Sequence, residues 1–575
     1  MRQAMRMNFT KSLKRIAAGI KVKNKFFQLR LALFLGISFF YSQAIRAQEE
    51  NTEGQEATYI HGDFQTDAQY YFYDPKIGPK FQEKVGNNTY LNLLYDRGNL
   101  SGGIRFENYQ PALLGYDKRL NGTGIPFRFV NYRWKDLSVT LGNFYEQFGN
   151  GLIYRSYWEW GLGFDNSVDG VRLRYNILEG IHLKAFAGKQ RFFFDKSPGI
   201  VRGIDAEFSL NELIPKFEFS PYNVTVGLGA VSKYQADDNP SYKLPENVSA
   251  ISSRIKVNHN NFSLEGEYAW KSQDPGETNN NSYRYGQALL LNGVYTTKGF
   301  GISLGAKRID NFDFRSSRNA NLNDLLINYL PPLTPQHTYR LATLYPYATQ
   351  PQGEMGLQSD IFYNAPVGSF LGGSTGTNFS INYSRINDIH RDSLNGGARD
   401  VIQFNSPFLE PGKKTLYQNL SVEMSKKLNS SMKLICTYIF IEASKQAVQG
   451  IDTKSDIFAH IGVADLSWKF KPKHTLRWEL QHLYTKQHFN SWAMFLMEYQ
   501  IGSNYFAAIY DEYNYGNIDK NKRFHYPGAT IGYTKGTVRI SISGGRQRAG
   551  VFCVGGVCRV VPASSGVSAS IIASF

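Results

Sequence analysis

The chain alternates apolar and polar residues with a period of two, and it does so in long segments over most of its length. In "GVRLRY", Val171, Leu173 and Tyr175 share one face and Arg172 and Arg174 the other. In "FSLEGEYAW", Phe262, Leu264, Tyr268 and Trp270 oppose Ser263, Glu265 and Glu267. Leu476, Trp478 and Leu480 oppose Arg477, Glu479 and Gln481, and Val538, Ile540 and Ile542 oppose Arg539, Ser541 and Ser543. Side chains of a strand point to opposite faces in turn, so this pattern predicts half-buried strands. A soluble sandwich would alternate too. Here, however, the segments run to about ten residues or more, longer than the usual sandwich strand, and aromatic residues gather at segment ends.

The connections decide between the two. A strand is expected at 58–72 with a loop to 87, then strands at 88–98, 99–108, 127–134 and 137–144. Short turns fall at 98–99, 135–136, 177–180, 259–261, 297–299, 429–431, 471–473, 502–504 and 535–536. Long connections fall between them, at 109–126, 145–167, 272–283, 310–353, 388–414, 444–456, 515–525 and 547–565. Two connections on the short side are longer than expected, 210–221 and 364–375. Alternating short and long connections are the signature of a membrane barrel. The reading is an all-β, transmembrane, antiparallel up-and-down barrel over 58–575, with about 24 strands (22–26), short periplasmic turns and long extracellular loops. An even count puts both termini in the periplasm of a Gram-negative cell. Lipid offers no partner to a backbone polar group, so such strands must close on themselves.

The ends of the chain agree. Residues 1–47 carry ten Lys or Arg and no acidic residue, then the apolar core "LALFLGISFFY" and two cleavage sites, after Ala44 or Ala47. That is the form of a signal peptide, leaving a short periplasmic segment at 48–57. Without 1–47 the balance is 54 basic to 48 acidic side chains, so the high formal charge belongs to the leader. The body carries no basic patch of the kind nucleic-acid binding needs. The last strand, "GVSASIIASF", ends on Phe575. A terminal aromatic strand resembles the assembly signal by which outer-membrane barrels reach their insertion machinery, a partner expected besides the outer-membrane lipid.

Positions assigned to the lumen by alternation include Asp63, Asp67, Arg105, Glu107, Arg172, Arg174, Lys184, Arg254, Lys256, Glu265, Glu267, Arg477, Glu479 and Arg539. Neither sign dominates. Arg254 and Lys256 adjoin Glu265 and Glu267 on the next strand, where cross-strand pairs can form. A salt-bridged, wetted wall and a selective path both fit. A wide barrel also needs a closure. The first candidate is the aromatic segment 143–170, with Phe144, Tyr145, Phe148, Tyr154, Tyr157, Trp158 and Trp160 as a constriction loop; the same residues could instead be wall. The second spans 310–353, whose prolines exclude a central strand, as a lid or a partner-docking loop.

Near the C-terminus, "GVFCVGGVCR" sets Cys553 and Cys558 around Gly-Gly. A two-residue turn there puts the cysteines opposite each other, within disulfide range. Two more ligands would be needed for a metal, and none lies near. Cys436 sits on an apolar face. The histidines are scattered, with His474 and His482 on the outer face. "GISLG" lies inside a strand without the following helix a nucleophile elbow needs, and Asp165 and Asp169 lack the ligand density of a calcium loop. No catalysis, cofactor or metal is expected.

The stretches "FGNGLIYRSYWEWGLGFDNSVDGVRLRY" and "GGRQRAGVFCVGGVCRVVPASSGVSASIIASF" resemble an uncharacterised family of large outer-membrane barrels from Bacteroidota. The resemblance implies a fold and a location, not an activity, and carries over no site residue. Two functions follow as expectations: a channel or transport protein for an unidentified solute or polymer, or a non-conducting scaffold within a secretion or surface-attachment assembly, with other envelope proteins as partners.

Overall fold

The computed structural model describes residues 57–78, 81–393, 404–451, 455–554 and 557–575. Ile60–Ser574 form one compact unit, which holds the barrel apart from the first two residues of its first strand. The leader expected at 1–47, and nearly all of 48–57, lie outside the described residues.

Twenty-four strands form one antiparallel sheet. In chain order they are β1 (Thr58–Phe72), β2 (Val85–Arg97), β3 (Leu100–Tyr109), β4 (Gly122–Trp134), β5 (Leu137–Phe144), β6 (Val168–Leu178), β7 (Ile181–Phe192), β8 (Asp195–Ser209), β9 (Tyr222–Tyr234), β10 (Asn247–His259), β11 (Phe262–Lys271) and β12 (Gly286–Thr297). The second half comprises β13 (Phe300–Asp310), β14 (Gly353–Ala365), β15 (Thr377–Ile389), β16 (Pro411–Lys427), β17 (Met432–Ala443), β18 (Ile457–Lys471), β19 (His474–Tyr484), β20 (Trp492–Ile501), β21 (Tyr505–Tyr513), β22 (His525–Lys535), β23 (Val538–Gln547) and β24 (Ser564–Ser574). Each strand pairs with its neighbours in sequence. The last pairs with the first, Asp67 opposite Ser570 and Tyr70 opposite Val567, which closes the barrel.

Outward positions follow the apolar face of each strand. Val171, Leu173 and Tyr175 are exposed on the outer surface, as are Leu264, Leu480, Ile540 and Ile542. Aromatic pairs gather at both ends of that surface. The Tyr222–His259 rings stack and the Tyr505–Tyr533 rings meet at a tilt at the short-turn end, and Trp270–Tyr285 and Tyr513–His525 stack at the long-loop end. His474 and His482 lie on this outer face, bonded to the hydroxyls of Tyr499 and Tyr515.

Differences from the sequence expectation are local. β4 begins at Gly122, not near 127, because "GTG" continues the ladder with β3 across a register shift between Arg105 and Glu107. One long-side connection is only the pair Phe193-Phe194, with Phe193 at φ 58°. The larger correction concerns the inner face. Solvated charge lines it toward the short-turn end, and the charges nearer the long loops, such as Arg191, Glu107, Lys307 and Glu354, are buried in ion pairs. Toward the long loops the inward residues include Val201, Val231, Val248, Ile309, Ile439, Ile441, Ile457 and Ile461, all buried. Something other than water covers them.

Candidate functional site

Two long connections turn into the lumen. The first, 145–167, leaves the wall where β5 ends at the buried Phe144. Phe148, Leu152, Ile153 and Tyr154 are buried behind it, and the Tyr154 ring lies 4.3 Å from Phe186 of β7. Gly151, at φ 91°, makes the tight reversal. Tyr145 stacks on Phe127 at 5.1 Å and donates its hydroxyl to Asp165 at 2.9 Å. Trp158 lies under the Arg105 guanidinium at 4.0 Å. Tyr157 packs on Phe164 at 5.0 Å. Of the seven aromatic residues proposed as a constriction, only Trp160 is largely exposed, at 42%.

Charge pins this loop to the wall. Arg191 of β7 grips Glu107 of β3 through two bonds of 2.7–2.8 Å and reaches Asp165 at 2.7 Å. Arg105 bonds Glu107 at 2.7 Å and also meets Asp165. Burial raises the pKa of Asp165, but the charges of Arg191 and Arg105 outweigh it and hold the carboxyl below the usual range. Glu146 faces Arg174 at 2.7 Å, Lys184 at 3.6 Å and Arg172 at 3.8 Å. Burial raises its pKa, but Arg174 foremost and Lys184 outweigh this and hold the carboxyl below its ordinary value.

The second connection, 311–352, crosses the lumen. Phe312, Phe314 and Ile327 pack with the inward Val201, Val231 and Ile309. Gln190 of β7 donates to Leu326 O at 2.5 Å. The chain then continues to the opposite wall, where Leu341, Tyr345 and Tyr347 pack with Ile439, Ile441, Ile461, Leu483 and Trp492. There Leu341 N donates to Gln481 of β19 at 2.9 Å, and Arg340 to Glu512 of β21 at 2.6 Å. β7 and β19 stand half a circumference apart in the strand order. At the base of the crossing, Lys307 and Glu354 form an ion pair of 2.5 Å with no solvent exposure. Lys307 also donates to Pro331 O, and Tyr347 donates to Glu354.

Cys553 and Cys558 face each other across a hairpin, Gly550–Val554 with Val557–Val561, and a disulfide joins them with 4.1 Å between Cα atoms. The Gly-Gly turn lies outside the described residues. This hairpin rests on both inward loops. Val554 packs against Leu162 and Phe164. Asn323 donates to Cys558 O at 2.5 Å and Gln336 to Cys553 O at 3.4 Å. Arg559 lies over Tyr116 at 4.1 Å and donates to Gly161 O at 3.0 Å.

The other assigned positions lie below the crossing loop. Asp63 accepts from Asn92 at 2.9 Å and Asp67 from Gln65 at 2.8 Å. Arg477 pairs with Asp465 at 2.8 Å and with Glu479. Arg539 lies over the Phe506 ring at 4.8 Å. Lys256 is exposed. The expected ladder between β10 and β11 is in register, Arg254 opposite Glu267 and Lys256 opposite Glu265, but the ion pairs run elsewhere. Arg254 reaches across β9 to grip Asp205 of β8 at 2.7 and 2.8 Å. It can do so because β9 carries Gly227 at that point; a Cβ there would lie 2.3 Å from the guanidinium. Glu267 and Glu265 instead accept from the backbone and side chain of Asn150, both at 2.7 Å. Among the described residues no group of three or more His, Cys, Asp or Glu could hold a metal ion.

The chain belongs to a family of unknown function, DUF6029. The family model matches residues 24–575. No curated protein sequence matches the chain. Among solved structures it is similar to a mutant ferric enterobactin receptor from Pseudomonas aeruginosa in complex with enterobactin, at 12% identity and a TM-score of 0.41, over 91% of this chain and 82% of that one. It is also similar to the copper transporter OprC (9% identity, TM-score 0.39, 92% and 81% covered) and to the translocation pore of the P pilus usher PapC (9%, 0.31, 90% and 99%). For this member of the family, what sequence reasoning missed is the dry upper lumen. A signal was present: in "YIFIEA" of β17 and "IFAHIGVA" of β18 the inward alternate positions are all Ile, Ala or Val, with no polar residue to meet water.

Proposed function

We propose that the protein is a transport-type barrel of the Gram-negative outer membrane, of Bacteroidota as the sequence resemblance implies, whose passage is held shut by its own loops. Both termini lie in the periplasm, the long loops outside the cell, and insertion uses the C-terminal strand ending at Phe575. The observation that carries this reading is the crossing loop. A wall that stays polar and charged at the short-turn end leads up to a partition made of one connection, anchored at its base and bonded to opposite sides of the barrel. That is the form of a gated passage for a solute or polymer. Planar-bilayer conductance tests it. The intact barrel is expected to pass little current, and a barrel with 312–351 replaced by a short Gly-Ser linker to pass much more. A linker variant that folds, judged by its heat-modifiable migration, and stays silent even when 146–166 is also removed would sink the transport reading.

A second reading, a scaffold in an envelope assembly, is favoured by the two enlarged short-side connections. Phe219 is 89% exposed in one, and Phe370 is fully exposed in the other, "PVGSFLGG". Apolar tips of this kind suit a protein partner. Gentle detergent extraction that yields only the lone barrel would count against it.

A further inference from the structure

The wall is incomplete at one place. β5, with eight residues, is the shortest barrel strand, and its ladder with β4 begins at Phe129–Gly142. The ladder of β5 with β6 ends at Phe144–Val168, where the chain turns into the lumen. β4 runs on to Gly122, and the β7–β8 hairpin runs on beyond Arg191. Above that row, two strands are missing between β4 and β7. The result is a notch of about 440 Å³ in the barrel wall, a volume within the usual range for ligand sites. Asn143 and Asp169 form its floor, the free edge of β4 one bank, and Lys196 the other. Asn143 takes the place of the missing strand by accepting from Arg128 N at 3.1 Å. Phe194 closes the back, lying against Gly122 and Gly124, where a Cβ would come within 3.2–3.4 Å of its ring.

The chemistry of the notch is amphipathic. The row directly beneath it is outward and apolar: Val130, Leu141 and Val171 are all exposed. The next row up is outward and charged. Asp169 holds Lys196 at 2.7 Å and Arg128 at 3.7 Å, and both cations keep about half of their side-chain surface in solvent, 48% and 58%. Lys189 stands opposite Asp169 across the β6–β7 ladder, and Arg202 one row lower on β8. Arg202 turns away to Asn247 at 3.0 Å, so, counting Asp195 with Asp169, three cations (Arg128, Lys189 and Lys196) face two carboxylates. This is a site with an apolar surface below, an excess of positive charge above, and a free strand edge beside it. Arginine and lysine recognise phosphate through charge-assisted bonds, and a membrane places phosphate just above its acyl chains.

We propose that this notch binds the phosphate-bearing headgroup of a lipid, with the acyl chains lying on the Val130–Leu141–Val171 surface below. The inference rests on the membrane-spanning reading but not on conduction through the lumen. Native mass spectrometry of the full barrel in neutral detergent tests it, with phosphatidic acid, diacylglycerol and inorganic phosphate as probes. One phosphatidic acid is expected to bind per barrel. R128Q/K196Q should weaken it at least about tenfold, as loss of two charge-assisted bonds requires. Lys535→Gln, a cation on the far outer wall, should leave it unchanged. Diacylglycerol should not compete. Equal binding by the native barrel and R128Q/K196Q would overturn the site, and displacement by millimolar inorganic phosphate would overturn the lipid as its ligand. Insertion of the same preparation into vesicles is scored alongside. A barrel that inserts but shows no charge dependence refutes the notch alone; one that does not insert refutes the membrane reading beneath it.

Discussion

The two halves of the lumen are built on the same strands and differ in what reaches them. On β18, Ile457, Ala459, Ile461 and Val463 face inward and are buried. The next inward residue is Asp465, paired with Arg477 from the neighbouring strand. The alternation never breaks; only the kind of residue at the inward positions changes. On this strand the inward residue is apolar where the crossing loop covers the wall and charged below it; elsewhere the few charges beneath the loop, such as Lys307, Glu354 and Glu512, are paired and buried. An inward position in a barrel is therefore not wet by default. Its solvent is set by a connection that is distant in sequence.

The comparison can be broken most forcefully at the Lys307–Glu354 pair. Removing one partner leaves a buried charge without its counter-ion, a loss of about 3–5 kcal/mol. K307M alone should release the crossing loop, read as faster hydrogen exchange over 327–350, and K307M/E354L should recover much of the protection. A cavity in the dry half comes next. Ile441→Ala should cost about 2–5 kcal/mol, while Lys256→Gln in the wet half should stay within about 0.5 kcal/mol, both measured by urea unfolding in detergent. Equal costs would erase the distinction between the halves.

A pH titration sharpens it further. Burial lowers the pKa of His337 on the crossing loop to about 4, and the Asn419 amide donates to its ring nitrogen at 3.1 Å. Burial, then Lys445, lowers His488 to about 4; its ring meets Tyr345 of the same loop at 5.8 Å. Both rings are favoured neutral when the loop is seated. Their contribution is present above the ordinary histidine pKa of about 6.5 and is lost as pH falls from there toward 4. Exchange over 327–350 should quicken through that window, and H337Q/H488Q should flatten the response. The smallest effect belongs to the cystine. A five-residue separation closes a short loop, so Cys553→Ser with Cys558→Ser should cost about 2 kcal/mol, confined to exchange within 550–561 and at its contacts Leu162 and Phe164.

Much of the fold was legible because a barrel writes itself locally. Turn residues, strand length and the apolar face each report on a few neighbouring positions, and they placed the turns at 98–99 and 502–504 and both inward loops. The disulfide was legible for the same reason, being a contact between near neighbours. What could not be read depends on residues that do not announce themselves. Gly227 looks like any strand glycine, yet its missing side chain sends Arg254 past Glu267 to Asp205. Asn150 sits in a loop, yet it occupies the two glutamates left behind. The hairpin at 550–561 was legible only as part of the long connection 547–565, and its place over Leu162 and Asn323 follows from where 145–167 and 311–352 come to rest.

The crossing loop also imposes an order on assembly. Its residues meet β7 on one side and β19 and β21 on the other, so strands made long before it and long after it must both be in place. Contacts of such sequence separation form late, because the chain entropy of closing them must be overcome first. The 311–352 segment, rich in Phe, Tyr and Leu, therefore has no wall to cover until the C-terminal strands arrive. During that interval it must be kept from aggregation, and the barrel around it is open before it is shut.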